Sequence, residues 1–491
     1  MSKPRLLWIG YRGNKESSHF EVVQKLKNAK LIDFFVAAGA SSDSGEWKLV
    51  DEPVIPHFDA QFAKYKTFLP GSKFLMDQEI YSLCSSFEGE TLRMMDRLYK
   101  FSSIFDFDDS FESRRRMFLL HCSFWYQYLV DKKITHVAFL AVPHEVYSFV
   151  VYKLASLLNI KTIIFASEKS GQTKGSRSLV TKEKKMVYLM ESTFFISENI
   201  EDIGVWRLSA SVCQSASRLG ISFYPSEELF TENKTQDQRS VFNEIEPTPK
   251  KFVGLLLKRL VRVLRNFGSS IKTLKLLFQT KLRYVEHSKL VLTDAEMCRS
   301  VLFCLAFQPE ESTSPRGGVF VEQYFAIKLL AACLPEGWRV RVREHPQQYR
   351  RLRPRRTNFL REISQIPNVK IVSPVETPLE SFALATAVAV TSGSMGVDAW
   401  FAGLPTIVFG ETWLKNAPGV FYVRSISDAK DALSQINQGF QQDKVAVKEF
   451  MDWTTSNSFK GNLWPKNNQE KELRDATVAN LYGILQVWVA S

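Results

Sequence analysis

Between residues 300 and 425 the chain alternates short apolar runs with stretches of helical spacing, and this alternation restricts its fold more than any other feature. Apolar runs at 301–307, 369–372, 387–391, 406–409 and 420–423 read as strands. Trp338, Val340 and Val342 alternate with Arg339, Arg341 and Arg343, the two-residue period of another strand. Residues 320–333 read as a helix, and the helix ahead of Thr406 ends at Gly403 with Pro405 behind it, an expected stop. Such alternation predicts a parallel sheet wrapped by helices. A weaker copy of the pattern opens the chain: strand 6–9, the turn Gly10-Tyr11-Arg12-Gly13, helix 18–27 and strand 31–36, then strand 137–141, helix 144–158 and strand 161–165. The expected class is α/β, with two Rossmann-like halves.

A chain of 491 residues suits two domains at roughly 100–200 residues each. With 45% hydrophobic and 24% charged residues, and with 37 Phe and 10 Trp to fill two cores, it is neither disordered nor collagen-like. Polar, acidic composition around residues 226–249 marks a boundary, which divides the chain into 1–240, a basic helical linker 241–295, a second sheet domain 296–440 and a helical tail 441–491. Cysteines 84, 122, 213, 298, 304 and 333 form no CxxC pair and have no histidine cluster beside them, so no metal is expected. The leading apolar run, 6–9, is too short for a signal peptide. The weakly charged stretch 381–410 contains Asp398 and Pro405 and suits a turn between buried elements better than a membrane span. The expectation is a cytoplasmic protein.

The net charge is +12, and its distribution matters more than its size. Residues 250–289 hold eleven Lys or Arg and one acid, Glu286, which accounts for ten of those twelve charges. Leucines and valines recur there at helical spacing, so the segment reads either as a surface meeting anionic lipid at the inner face of the cytoplasmic membrane or as a solvated helical pair. No recognition-module signature accompanies the charge, and nucleic acid is not an expected partner.

Open parallel sheets bind ligands beyond the carboxyl ends of their strands, so the loops there carry the candidate chemistry. Thr391-Ser392-Gly393-Ser394, then Gly396, lie where a strand gives way to a helix. Small residues and unpaired N–H groups at a helix start form a phosphate cradle, or else a plain turn with Ser394 as its cap. Asp398, one turn further, accepts from a ribose or steadies the first turn. Glu344-His345-Pro346 ends another strand; His345 there is placed to donate to a phosphate oxygen or protonate a leaving group, with Pro346 fixing the strand's end. The loop 307–318 adds Gly317 and Gly318 as phosphate-lining candidates and Glu310 as an acid or sugar ligand. In the first half, Glu145 begins a helix just past a strand end beside His144, where an acceptor-facing group belongs. Gly10, Arg12 and Gly13 are candidate cleft residues, with a tight turn as the alternative. Asp106, Asp108 and Asp109 read as a solvated acidic loop.

The strings FQPEESTSPRGGVFVEQ, VREHP, IPNVKIVSP and TSGSMGVDAWFAGLPTIVFG resemble bacterial capsular polysaccharide biosynthesis proteins of the Kdo-transferase-like kind. The resemblance covers about residues 300–425 and continues more faintly at LRMMDR (92–97) and VPHEVYSFVVYKLASLLNIKTIIF (142–165). It implies a GT-B architecture of two facing Rossmann-like domains, acceptor side first and nucleotide-sugar side second. The His-Pro and Ser-Gly-Ser pair also resembles bacterial sialyltransferases, which puts His345, Ser392 and Ser394 on the donor. A clear Asp-Asp-Gly base motif is absent, so the catalytic carboxylate is left between Glu145 and Glu310.

The implied function is transfer of a sugar, Kdo or another acidic sugar from a CMP or other nucleotide donor, to a capsular or lipid-linked surface polysaccharide. The nucleotide-sugar is a substrate, and no separate cofactor is expected. The alternatives are a nucleotide-sugar epimerase, a CDP-polyol phosphotransferase of similar fold, or a non-catalytic polysaccharide-binding scaffold at the membrane.

Overall fold

The computed structural model describes residues 3–11, 17–40, 49–63, 76–96, 98, 110–166, 179–180, 185–186, 193–197, 267–291, 299–350, 355–356, 358–376, 378–456, 458–461, 463 and 471–491. Arg12, Gly13, Asp106, Asp108, Asp109 and residues 250–266 of the basic segment lie outside them.

Two sheets organise the chain. The first contains β1 (Arg5–Ile9), β2 (Phe34–Ala40), β3 (Ile55–Pro56), β4 (His136–Phe139) and β5 (Lys161–Ala166). A two-stranded hairpin follows, β6 (Leu179–Val180) and β7 (Lys185–Met186), and then β8 (Thr193–Ser197). The second sheet contains β9 (Ser300–Cys304), β10 (Arg339–Arg343), β11 (Val369–Ile371), β12 (Ala387–Val390), β13 (Thr406–Val408) and β14 (Val420–Tyr422). β15 (Phe459–Lys460) returns to the first.

Strand order in the second sheet is β11-β10-β9-β12-β13-β14, and every pairing is parallel. In the first sheet the run β3-β2-β1-β4-β5 is parallel, and the edge is finished by β8 and β15, each antiparallel to its neighbour. Both sheets therefore grow outward in two directions from their first strand. Each has a switch point, between β1 and β4 in one and between β9 and β12 in the other, where the departing loops diverge and leave a crevice. The α/β class with two Rossmann-like sheets is what the sequence implies and what the structure has.

The near-continuous apolar strands follow from burial on both faces. Leu6, Trp8 and Phe35 pack on one face of the first sheet with the Ser18–Asn28 helix, while Leu7, Val36 and Phe139 pack on the other with the helices Phe111–Asp131 and Val146–Leu157. Residues 441–491 are expected to form a helical tail, and most of the described ones are helical. They form the Lys444–Ser456 helix, β15 and the Lys471–Ala490 helix, and the last packs on Ser18–Asn28 with Leu481, Leu485 and Trp488 buried. The two halves also share apolar packing, since Val397, Trp400, Trp413 and Leu414 belong to the same buried cluster as Val146 and Trp125.

Residues 267–290 of the basic segment form one helix, Phe267–Leu290, seated on the second half. His287 is buried: Tyr349 Oη lies 2.7 Å from its Nδ1, and the Val372 carbonyl accepts from its Nε2 at 2.8 Å.

Candidate functional site

The site grows from the second switch point. β12 ends at Val390, and Thr391, fully buried, opens the turn into the helix Ser394–Phe401, with Gly393 as its extended N-cap. Thr391 Oγ1 and the buried Ser314 Oγ have no hydrogen-bond partner among the described residues. Two of the candidate glycines answer to packing. A Cβ on Gly396 would stand 2.6 Å from Val390 Cγ2, and one on Gly317 would stand 2.5 Å from the Thr313 carbonyl oxygen. Gly393 differs, for nothing lies within 4 Å of its Cβ position, which leaves the backbone of the turn open to approach. Ser392 Oγ donates to the Ser312 carbonyl at 2.8 Å and so ties the turn to the loop after β9, while Ser394 is exposed. Asp398 lies one turn into the helix, near the end of β9. Burial pushes the Cys304 thiol up to about 12, against the pull of Arg343, and Asp398 adds to the rise.

The loop after β9 folds back on itself. The Glu310 carbonyl accepts from the Thr313 and Ser314 N–H groups and from Thr313 Oγ1, and the Thr313 carbonyl accepts from the Gly317 N–H at 2.8 Å. Gly318 has a φ of +53°, a left-handed conformation that favours glycine, and its Cβ position is 3.5 Å from the Arg424 guanidinium. The Glu411 N–H donates to the Arg316 carbonyl at 2.8 Å, which wedges the loop between the turns after β12 and β13.

His345 leaves β10 beside Glu344. Its N–H donates to Glu344 Oε1 at 2.7 Å, and its Nδ1 accepts from the Gln347 N–H at 3.1 Å. In the neutral ring the proton therefore sits on Nε2. Phe307 packs beside the imidazole with ring centroids 5.8 Å apart, and Pro346 turns the chain into the short helix Gln347–Arg350. The loops after β9 and β10 are fastened by Arg355, whose side chain is only 7% exposed. It donates to both carboxylate oxygens of Glu344 at 2.7 and 2.9 Å, to Gln308 Oε1 at 2.6 Å and to the Ala306 carbonyl at 2.7 Å.

Across the cleft, the loop after β4 presents His144 and Glu145. Glu145 is the N-cap of Val146–Leu157; its N–H donates to Ser148 Oγ at 3.1 Å, and its Oε2 accepts from Gln61 Nε2. His144 lies between two carboxylates, with Nε2 3.6 Å from Glu145 Oε1 and Nδ1 3.4 Å from Glu311 Oε2. Glu311 in turn pairs at 2.6 Å with the buried Arg316. Hence Glu311, the neighbour of Glu310, carries a contact across the cleft that only the fold reveals. Gly10 has a φ of +83° and donates its N–H to the Ala38 carbonyl at 2.8 Å, the geometry of a tight turn at the end of β1.

No family model and no curated protein matches the chain. Among solved structures it is similar to two of KpsC from Thermosulfurimonas dismutans. For the beta Kdo 2,4 transferase the identity is 11% and the TM-score 0.29, with 67% of this chain and 81% of that one covered. For the beta Kdo 2,7 transferase they are 9% and 0.31, with 78% and 96% covered. It is also similar to a UDP-GlcNAc 2-epimerase from Methanocaldococcus jannaschii, at 12% identity and a TM-score of 0.23, with 97% and 98% covered. At these values the likeness is one of fold class.

Proposed function

We propose that the chain is a glycosyltransferase that takes a sugar from a nucleotide donor held by the 296–440 half and passes it to a saccharide hydroxyl presented by the 1–240 half. The observation that carries this reading is the meeting of the two switch points. The loop after β4 reaches the loop after β9 through His144 and Glu311, so the crevices of both sheets open onto one cleft, as a two-substrate transfer between domains requires.

In this reading the N–H groups at Gly393 and the start of Ser394–Phe401 meet the donor phosphate, and His345 Nε2–H adds a further donor. Asp398 takes the ribose. The acceptor oxygen bonds to the anomeric carbon, the bond from that carbon to the phosphate oxygen breaks, and the phosphate departs with the electron pair. His144, flanked by Glu145 and Glu311, stands where the hydroxyl's proton is released. The sequence resemblance makes an acidic sugar, Kdo from a CMP donor onto a bacterial surface polysaccharide, the specific pair to test first.

The test is a nucleotide-sugar screen for thermal stabilisation, followed by release of free nucleotide with and without saccharide acceptors. A stabilising donor whose nucleotide is released only when acceptor is present supports transfer. Conversion of the donor into its epimer without acceptor and without free nucleotide supports an epimerase instead, and binding without any turnover supports a scaffold. His345→Ala is expected to weaken donor affinity by roughly tenfold, the loss of about one charge-assisted hydrogen bond. Wild-type affinity in that variant refutes the placement of the phosphate.

A further inference from the structure

The Phe267–Leu290 helix carries more apolar surface than its docking consumes. Its inner face is used up: Leu277, Thr280 and His287 are buried, and the helix packs against Phe359–Ser364. On the opposite face Phe278, Leu282 and Val285 are 64%, 47% and 42% exposed. Spacings of four and three residues put the three on one line of the helix. Exposed Lys289 ends that line, and exposed Lys281 flanks it.

The sole acid of the helix, Glu286, lies 2.6 Å from Arg283 and 3.2 Å from Arg361, so it adds no net negative field to the outer face. A single helical line of three apolar side chains with lysines beside it, in a helix of five Lys or Arg and one acid, is the pattern of a helix lying in a lipid interface. There apolar side chains enter the headgroup boundary while ammonium groups meet anionic headgroups.

We infer that this outer face docks the protein on an anionic phospholipid bilayer. Charge complementarity favours lipid over a protein partner: among the described residues the face offers a narrow apolar line with lysines beside it. Among the described residues no helix is long and apolar enough to cross a membrane, so the attachment is peripheral. Its placement is also informative. The helix is held by Val372, just beyond the end of β11, and by Tyr349, four residues after His345. The bilayer therefore lies beside the carboxyl edge of the second sheet, the edge that carries the His345 loop. This inference stands on the helix alone and survives or fails independently of the proposed reaction.

Co-sedimentation of the full chain with phosphatidylcholine vesicles, with and without phosphatidylglycerol, tests it. Binding is expected to need phosphatidylglycerol and to weaken as salt rises. Phe278→Ser with Leu282→Ser is expected to lower the affinity by about tenfold or more, and Lys281→Glu with Lys289→Glu by about 25-fold or more, at about fivefold for each lysine lost. The second pair keeps the test open should the first fail to fold. Equal binding to neutral vesicles, or wild-type binding by either folded variant, overturns the inference. So does a dimer, seen by light scattering, that the serine variant dissociates, because the line would then be a self-association face.

Discussion

Arg355 offers the sharpest test of how the candidate site is held. Replacing it with Met keeps most of the stem and removes the guanidinium, which donates to Glu344, Gln308 and the Ala306 carbonyl and lies 5.0 Å from the Phe359 ring centroid. The Glu344 side chain is 3% exposed. Without Arg355 its charge is retained in the interior, with the His345 N–H at 2.7 Å as a remaining donor. Breaking a buried pair from one side costs about 3–5 kcal/mol, because the partner's desolvation is no longer offset. Removing both charges, with Glu344→Gln alongside Arg355→Met, is expected to cost less than the single change, since Gln keeps the hydrogen bond from His345 and no charge is stranded.

Thermal and urea unfolding of the wild type, both single variants and the double variant close a thermodynamic cycle. The expected coupling is at least about 1 kcal/mol, and amide exchange should quicken in residues 305–308 and 344–348 of the Arg355 variant before it does elsewhere. Arg355→Lys, which keeps a charge and loses the planar fork, should fall between. An Arg355→Met protein within about 0.5 kcal/mol of wild type, or a double variant as unstable as the sum of the singles, refutes the claim that this residue staples the two loops.

Three further outcomes are expected. Burial, aided by the Lys161 ammonium, holds His136 down at about 4 against an ordinary 6.5, so folding favours the neutral ring; stability should be full above pH 6.5 and fall as pH drops toward 4. His136→Phe should flatten that slope in pH-dependent melting curves, and superimposable curves would contradict it. Gly396→Ala drives a methyl into Val390 and should cost about 1–3 kcal/mol in a melt, whereas Gly393→Ala, with open space at its Cβ, should leave stability within about 0.5 kcal/mol yet weaken nucleotide binding in calorimetry. Glu311→Gln should lower turnover by about tenfold or more while donor affinity stays near wild type; a variant with full turnover would remove Glu311 and its contact to His144 from the working site.

The sheets were legible because their signals are local. Arg339–Arg343 alternates with a two-residue period, and Gly403 and Pro405 stop a helix where β13 must begin. β8 and β15 were not legible as partners, since their pairing joins residues 193–194 to residues 459–460 and nothing local specifies it. The role of the C-terminal residues was hidden for the same reason. The Lys471–Ala490 helix reads as part of a helical tail until Ser18–Asn28 is placed against it, and its buried line of Leu481, Leu485 and Trp488 then completes the core of the first sheet.

The candidate site divides along similar lines. Residues at strand ends were found because a strand end is visible in the sequence: His345 after β10, Ser392 and Gly393 after β12, His144 after β4. What the sequence could not separate was a residue that faces a ligand from one that holds its neighbours. Gly396 and Gly317 look like phosphate-loop glycines and are explained by Val390 and by the Thr313 carbonyl. Ser392 looks like a ligand donor and is engaged with Ser312. Glu145 looks like a cleft acid and caps a helix while accepting from Gln61. In each case the distinction rests on a contact between separate elements. The same is true of Glu311 and Arg355, because Glu311 gains its place from His144 and Arg316, and Arg355 from two loops that strand order alone brings together. A cleft between two sheets is therefore best sought in sequence by its strand ends, and its working residues are then sorted by asking which polar groups the fold has already engaged. On that criterion the turn at Gly393, where nothing lies within 4 Å of the Cβ position, is the backbone best placed to meet a ligand.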